Sequence, residues 1–349
     1  MNHPGQIIFN MNNKIKYIFL LAGLIFFVYL VADFGVDNII RNLEKTSWYF
    51  LLIISTWIPV YLFNAVAWNF IINRKELPFH KVLSVTIRGY ALNYMTPFFH
   101  LGGEPYKVLV LKNSIGLNRS LSVTVSYLML HFLSSFLFWI AAIIAIYFFL
   151  PVSTVAYVIL TVCLVVFTGI VFLFMKGYKR GVTKSFALFF VKLPILKKFS
   201  ERVNNKEDFL TGVDENISEL VGTRKKSFIA ANIFELASRF VGTLEFYFIL
   251  KAIGYSPTLL DAFLINAGAA IISNLLFIVP FELGVKEGGL YLTLGLLNYV
   301  PAIGIYIGLV NRMRELFWIL IGLILIAVSK DKINKEEYQG VLDDGNSTI

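Results

Sequence analysis

Residues 88–107 read RGYALNYMTPFFHLGGEPYK. They lie inside an apolar stretch, 82–111, that has the length of a membrane span but is broken at its middle. Arg88, Asn93, Pro97, Gly102, Gly103, Glu104 and Lys107 interrupt it. Proline removes a backbone donor and clashes with the preceding turn, and glycine adds conformational freedom. Neither half is an ideal span. Irregular backbone is tolerated at membrane depth only where protein buries it or where it lines a polar cavity. The stretch therefore predicts a re-entrant helical hairpin.

A second stretch, 259–299, is broken in the same way. It holds Asn266, Asn274 and the run PFELGVKEG at 280–288. Glu104 follows Pro97 by seven positions, and Glu287 follows Pro280 by seven. Asn93 and Asn274 precede the two prolines. A glycine pair adjoins each glutamate: Gly102–Gly103 before the first, Gly288–Gly289 after the second.

Working outward, the rest of the chain reads as membrane. Of its 349 residues 57% are hydrophobic and only 15% charged, against about a quarter in soluble domains. Mean hydropathy is +0.72. This excludes disorder and leaves too little polar surface for two soluble cores. The single cysteine, Cys163, excludes a disulfide framework, and the four histidines lack metal-ligand spacing. No phosphate-cradling loop or catalytic triad order is present, so no cofactor is expected. The net charge of +9 sits in loops between apolar runs, which argues for membrane topology and against nucleic acid.

Six runs have the length to cross the bilayer as helix: 15–31, 48–72, 121–150, 154–175, 228–250 and 302–328. The first has the basic flank of a signal peptide, but its length and the lack of a small-residue cleavage site make it an uncleaved span. Lys and Arg excess places 73–81, 107–119 and 176–226 in the cytoplasm, the last with 12 basic and 6 acidic residues. Loop 32–47 reads as external. The first hairpin then enters and leaves from inside and the second from outside, with both termini in the cytoplasm. Opposed broken hairpins fit an inverted repeat, a plan found in many secondary transporters. The chain is thus expected to be one all-α polytopic domain in the cytoplasmic (inner) membrane, with a core at 14–330 and a polar tail at 331–349. Loop 176–226 reads either as an amphipathic helix in the headgroup plane or as a solvated hairpin.

Charges also fall inside spans, where each costs about 2.5–3.5 kcal/mol on the insertion scale. The fifth predicted span carries Asn232, Glu235, Arg239 and Glu245 on one face. The last carries Asn311, Arg312 and Glu315 on a shared side, with Arg314 directed elsewhere. Such groups either pair structurally inside the bundle or face a polar cavity. Arg88, Arg239 and Arg312 suit a phosphate, because guanidinium donates two parallel hydrogen bonds. Glu104, Glu235, Glu245, Glu287 and Glu315 suit an amine or a proton. His131 reads more simply as a satisfied bundle histidine than as a proton relay. Lys107 and Lys286 are candidates to snorkel to the interface.

The stretch 88–107 and the run 280–288 together resemble the lysylphosphatidylglycerol synthase transmembrane, or flippase-like, family. That family includes the membrane half of the multiple peptide resistance factor. The resemblance covers roughly residues 14–330 and implies a domain with re-entrant segments that moves lipid between leaflets. The chain departs from the family at Phe98, Phe99 and His100, where a basic residue is usual after the proline. About 20 polar residues follow the last predicted span, whereas the synthases carry a soluble domain there. Aminoacyl transfer is therefore not expected.

The leading expectation is a lipid translocase with no catalytic residues and no bound metal. Its lipid would be an anionic, zwitterionic or aminoacylated phospholipid, or a polyprenyl-type lipid. Its site would draw on Arg88, Asn93, Pro97, Gly102, Gly103, Glu104, Glu235, Arg239, Glu245, Asn274, Pro280, Glu287, Arg312 and Glu315. A membrane-embedded transferase of lipid-linked substrates, a secondary transporter of a small anion or amino acid, and a scaffold for a lipid-synthesis enzyme are the alternatives. The sequence leaves a homodimer open.

Overall fold

A computed structural model of the chain describes residues 36–73, 77–96, 102–151, 153–180, 222–275 and 284–329, with 25, 28, 219 and 282 besides. Most of the predicted first span and of loop 176–226, the tail, and Pro97 and Pro280 lie outside the described residues. Every regular element described is helical: α1 (Val36–Thr46), α2 (Tyr49–Ile72), α3 (Phe79–Tyr94), α4 (Gly103–Ile115), α5 (Leu117–Phe149), α6 (Thr154–Arg180), α7 (Lys225–Gly242), α8 (Leu244–Ala252), α9 (Leu259–Leu275), α10 (Val285–Leu296) and α11 (Ile303–Val328). The protein is an all-α polytopic membrane protein. Helices are the natural outcome, because a chain in hydrocarbon must satisfy its backbone polar groups internally.

Among the described residues, α2, α5 from Arg119 and α6 as far as Met175 are long and apolar enough to cross a membrane. With 33 residues α5 is about 50 Å long at 1.5 Å per residue, so it crosses a hydrocarbon core of about 30 Å only at a tilt. α6 turns most of its apolar surface outward, including Val155, Val158, Val165, Phe172 and Leu173. That is the surface a lipid-facing helix presents.

Both broken stretches fold as pairs of packed helices: α3 with α4, and α9 with α10. The first pair is fastened at its break. The N–H of Gly103, at the start of α4, donates to Asn93 Oδ1 at 2.7 Å near the end of α3. Gly103 sits directly against the backbone carbonyl of Gly89, so the two helices approach as closely as backbones can. In the second pair, Glu287 accepts from the N–H of Gly284 at 3.0 Å and caps α10. Glu104 and Glu287 thus occupy equivalent places, in the first turns of α4 and α10, where a carboxylate suits the helix dipole.

Two features depart from the sequence-based spans. The predicted span 228–250 is two helices, α7 and α8, meeting at Thr243. Thr243 donates its hydroxyl to Phe240 O at 2.6 Å, and its N–H turns to the same carbonyl at 3.1 Å. The run stays mostly apolar through this point, with Val241, Leu244 and Phe246 on either side, so hydropathy alone does not show the break. Second, two basic residues of the segments read as loops do structural work. Arg224 reaches Phe70 O at 2.6 Å and Ile71 O at 3.4 Å, and Arg119 reaches Ile72 O at 3.2 Å. Together they satisfy the orphan carbonyls at the C-terminus of α2.

Three apolar clusters hold the bundle. One gathers the first hairpin with α2, α5, α7 and α11. Another gathers the second hairpin with α2, α8 and α11. The third joins α5, α6 and α9. Among the described helices, only α2 and α11 contribute buried residues to both the first and the second of these clusters.

Candidate functional site

A cavity of about 370 Å³ lies between α2, α3, α5, α7, α8, α9, α10 and α11. This falls within the roughly 300–1,000 Å³ of small-molecule sites. Its wall mixes aromatic rings with charge. Arg239, Lys286, Arg312 and Arg314 supply the cations, and Glu235, Glu245, Glu282 and Glu315 the carboxylates. With His131 neutral, the formal sum over these eight groups is zero.

The charges form linked groups. Glu235 on α7 is fully buried, at 0% exposure. Its Oε2 accepts from Tyr127 OH at 3.0 Å, and its Oε1 lies 2.6 Å from His131 Nδ1. Arg239, one turn on, stands 3.9 Å from the same carboxylate. It is steered by bonds from Nη2 to His131 O at 2.9 Å and from Nε to Ser134 Oγ at 3.2 Å. Ser238 Oγ meets Asn64 Oδ1 at 2.8 Å, and Asn64 Nδ2 donates to Tyr90 OH at 2.9 Å.

The second group centres on Glu245, at the start of α8. It takes Arg314 Nε at 3.0 Å and Nη2 at 3.3 Å, Trp57 Nε1 at 2.8 Å, and the amide of Asn311. Arg314 also donates to Tyr94 OH at 3.0 Å and stacks on the Trp57 ring, 3.9 Å from its centroid. A buried ion is tolerated only with this much hydrogen bonding. The third group ties α10 to α11: Lys286 meets Glu315 at 2.8 Å, and Arg312 meets Glu287 at 3.0 Å.

Of the residues expected from sequence, Asn93, Glu235, Arg239, Glu245, Asn274, Arg312 and Glu315 line the cavity. Gly102, Gly103, Glu104 and Glu287 do not. They build the hairpins behind it, and Glu287 reaches the cavity wall through Arg312. Arg88 is also displaced from the cavity wall. It is buried against α4, giving Nη1 to Tyr106 OH at 2.9 Å and Nε to Ser84 O at 3.1 Å, because it projects from the side of α3 that faces its hairpin partner. Lys107 does not snorkel. It is 2% exposed, paired with Glu104 at 2.6 Å, and ringed by Trp68, Tyr90 and Tyr127 with centroids 5.4–5.7 Å away. A matched carboxylate and three π-faces replace its water. Lys286 likewise turns inward to Glu315. Helical angles direct Arg314 away from Arg312, Asn311 and Glu315, but Arg314 and Arg312 both line the cavity, and Arg314 Nη2 stands 3.5 Å from Glu315 Oε1. Arg314 pairs with Glu245 of α8 while Arg312 pairs with Glu287 of α10.

Sequence reasoning missed Trp57, Tyr90, Tyr94, Asn64 and the placement of His131. Some signal was present. Tyr90 and Tyr94 stand one turn apart on α3 and so share a face. Asn64 is one of two amides, with Asn69, inside an apolar span. His131 is satisfied by Glu235, as a bundle histidine should be, and it also lines the cavity.

A family model described as the lysylphosphatidylglycerol synthase TM region matches residues 15–322. The chain is also similar to the UPF0104 membrane protein PH1989 of Pyrococcus horikoshii, with 24% identity over 336 residues, covering 89% of this chain and 96% of that protein. No solved structure matches.

Proposed function

The chain belongs to the lysylphosphatidylglycerol synthase transmembrane-region family, and from that premise we propose that it is a lipid translocase. A charged headgroup passes through the polar cavity while its acyl chains stay in hydrocarbon. The observation that carries this reading is the cavity itself: eight charged side chains of both signs, seven of them on helices of a membrane protein, around about 370 Å³ of space. Intramembrane charge is costly, and its concentration around one space marks a polar pathway. The cavity reaches Asn274, which is exposed on the last turn of α9, and this supports access from the side of the bundle. Arg239 and Arg312 receive the phosphate, and the carboxylates balance an amine where the headgroup has one. The two hairpins enter the cytoplasmic membrane from opposite faces, and rocking of one repeat against the other alternates access. The chain acts as a translocase without catalysing group transfer.

The test is a proteoliposome assay with fluorescent headgroup-bearing phospholipids and a membrane-impermeant quencher. Wild-type protein is expected to expose inner-leaflet lipid. Arg239→Ala is expected to abolish that movement while the protein elutes as a folded species. Normal movement in the variant removes Arg239 from the pathway. No movement of any charged lipid by wild type retires the translocase in favour of a small-anion transporter or a transferase.

A further inference from the structure

The pair formed by Glu235 and His131 has a geometry that the translocase reading alone does not use. The carboxylate is wholly enclosed, whereas the imidazole side chain is one-third exposed and lines the cavity. Their 2.6 Å contact is a direct path for a proton between the cavity and a buried anion. Such a pair takes up a proton as a unit.

Most charged groups packed against this pair are already matched by partners of their own. α5 adds Tyr127, bonded to the carboxylate. α7 adds Arg239 at 3.9 Å. From α3 comes Tyr90, bonded to Asn64 of α2, where Tyr61 also lies. α4 adds Lys107, already neutralised by Glu104. α6 presents no charged side chain from Thr154 to Met175. The acid of α9, Asp261, is held at that helix's start by Tyr299 and the N–H of Thr258. α8 brings Glu245, already bound by Arg314. With the pair unprotonated, the eight cavity groups sum to zero. One added proton leaves the cavity at plus one.

We propose that the cavity binds an anionic phosphodiester headgroup together with one proton held by the Glu235–His131 pair, so that lipid and proton move as a neutral couple. The inference rests on the translocase reading for its ligand. Linkage is reciprocal: if the proton strengthens lipid binding, the lipid strengthens proton binding by the same factor. Above the pH at which the free pair titrates, affinity falls about tenfold per pH unit.

The experiment is calorimetry of detergent-solubilised full-length protein with short-chain phosphatidylglycerol, in buffers of differing ionisation heat. Short-chain phosphatidylcholine and free glycerol phosphate are the comparison arms. Wild type is expected to take up close to one proton per phosphatidylglycerol at high pH, and much less with phosphatidylcholine. Glu235→Gln mimics the protonated carboxylate and is expected to bind phosphatidylglycerol at high pH as tightly as wild type does at low pH. His131→Gln is expected to do the opposite, with weak binding at every pH. These shifts of opposite sign separate proton linkage from structural damage, which weakens both variants alike.

Binding by wild type without proton uptake overturns the proposal, as does weakening in both variants. Equal binding of glycerol phosphate overturns its lipid half. The proteoliposome assay keeps the two readings apart. Lipid movement that ignores an imposed pH gradient, together with zero uptake, removes the proton and leaves the translocase. Uptake without lipid movement leaves the proton site and removes the translocase.

Discussion

Among the residues, Glu245 and Arg314 have the most at stake. Both side chains are nearly sealed, at 2% and 3% exposure. Removing one partner of a buried pair leaves an uncompensated charge and costs about 3–5 kcal/mol, whereas apolar replacement of both is often near neutral. Glu245→Ala is therefore expected to lower the thermal unfolding midpoint in detergent by many degrees. The double replacement Glu245→Leu with Arg314→Met is expected to recover most of that loss and to abolish transport. A double variant as unstable as the single one would show that Arg314 is held chiefly by Trp57 and Tyr94. This pair also shows what sequence reading reaches at the residue scale. Charge inside a span is conspicuous, so Glu245, Glu235, Arg239 and Arg312 stand out at once. Pairing is not, because the partners sit on different helices, 69 positions apart for Glu245 and Arg314 and 104 for Glu235 and His131. Helical angles alone direct Arg314 away from Arg312, and only the packing of α8 beside α11 shows that both directions are polar. Lys107 misleads for the opposite reason. A lysine near the end of a stretch reads as a snorkel until the rings from α2, α3 and α5 are seen to enclose it.

Among the elements, the hairpins depend on close approach. A Cβ at Gly103 would collide with the carbonyl of Gly89 and come within 2.8 Å of Asn93 Oδ1. Gly103→Ala is expected to force α4 from α3 and destabilise the protein by about 1–3 kcal/mol, the usual cost of overpacking. Gly169, in the middle of α6, has open space where a Cβ would stand. There the same substitution is expected to stabilise by up to about 1 kcal/mol through helix propensity alone. Thermal unfolding of the two variants side by side checks both signs. A neutral Gly103→Ala would mean the hairpin has slack that the close contact hides. A further element, α2, is ended from outside itself: Arg224→Ala removes two charged donors from its last carbonyls. It is expected to cost about 1–3 kcal/mol in the same assay, and no effect would assign the cap to water. The division of each broken stretch into two short helices was legible because proline, glycine and charge interrupt an apolar run in both. The break at Thr243 was not, because Val241, Leu244 and Phe246 carry the apolar pattern straight through it. Nor were the arginine caps, since a loop arginine has the same sequence signature whether it marks the cytoplasm or closes a helix.

For the whole molecule, the proposed inverted repeat makes a claim that side chains cannot test. The order of elements recurs, with a hairpin followed by a long helix in each half: α3–α4 before α5, and α9–α10 before α11. Charge counting gives the two halves opposite orientation, and alternating access by rocking depends on that opposition. The turns after the hairpins should then lie on opposite sides of the membrane. Asn113 is exposed at the end of α4, and Val300 is 56% exposed between α10 and α11. The chain has one cysteine, half-buried Cys163 on α6, so Cys163→Ala provides a cysteine-free background. In sealed right-side-out vesicles, Val300→Cys is expected to react with a membrane-impermeant maleimide from outside, and Asn113→Cys only after permeabilisation. Two cysteines labelled from the same side would make the hairpins parallel. The matched spacing of Pro97 to Glu104 and Pro280 to Glu287 would then reflect a shared way of starting a helix beside a cavity. The rocking mechanism would lose its basis, while the charged cavity, which rests on contacts and not on orientation, would stand.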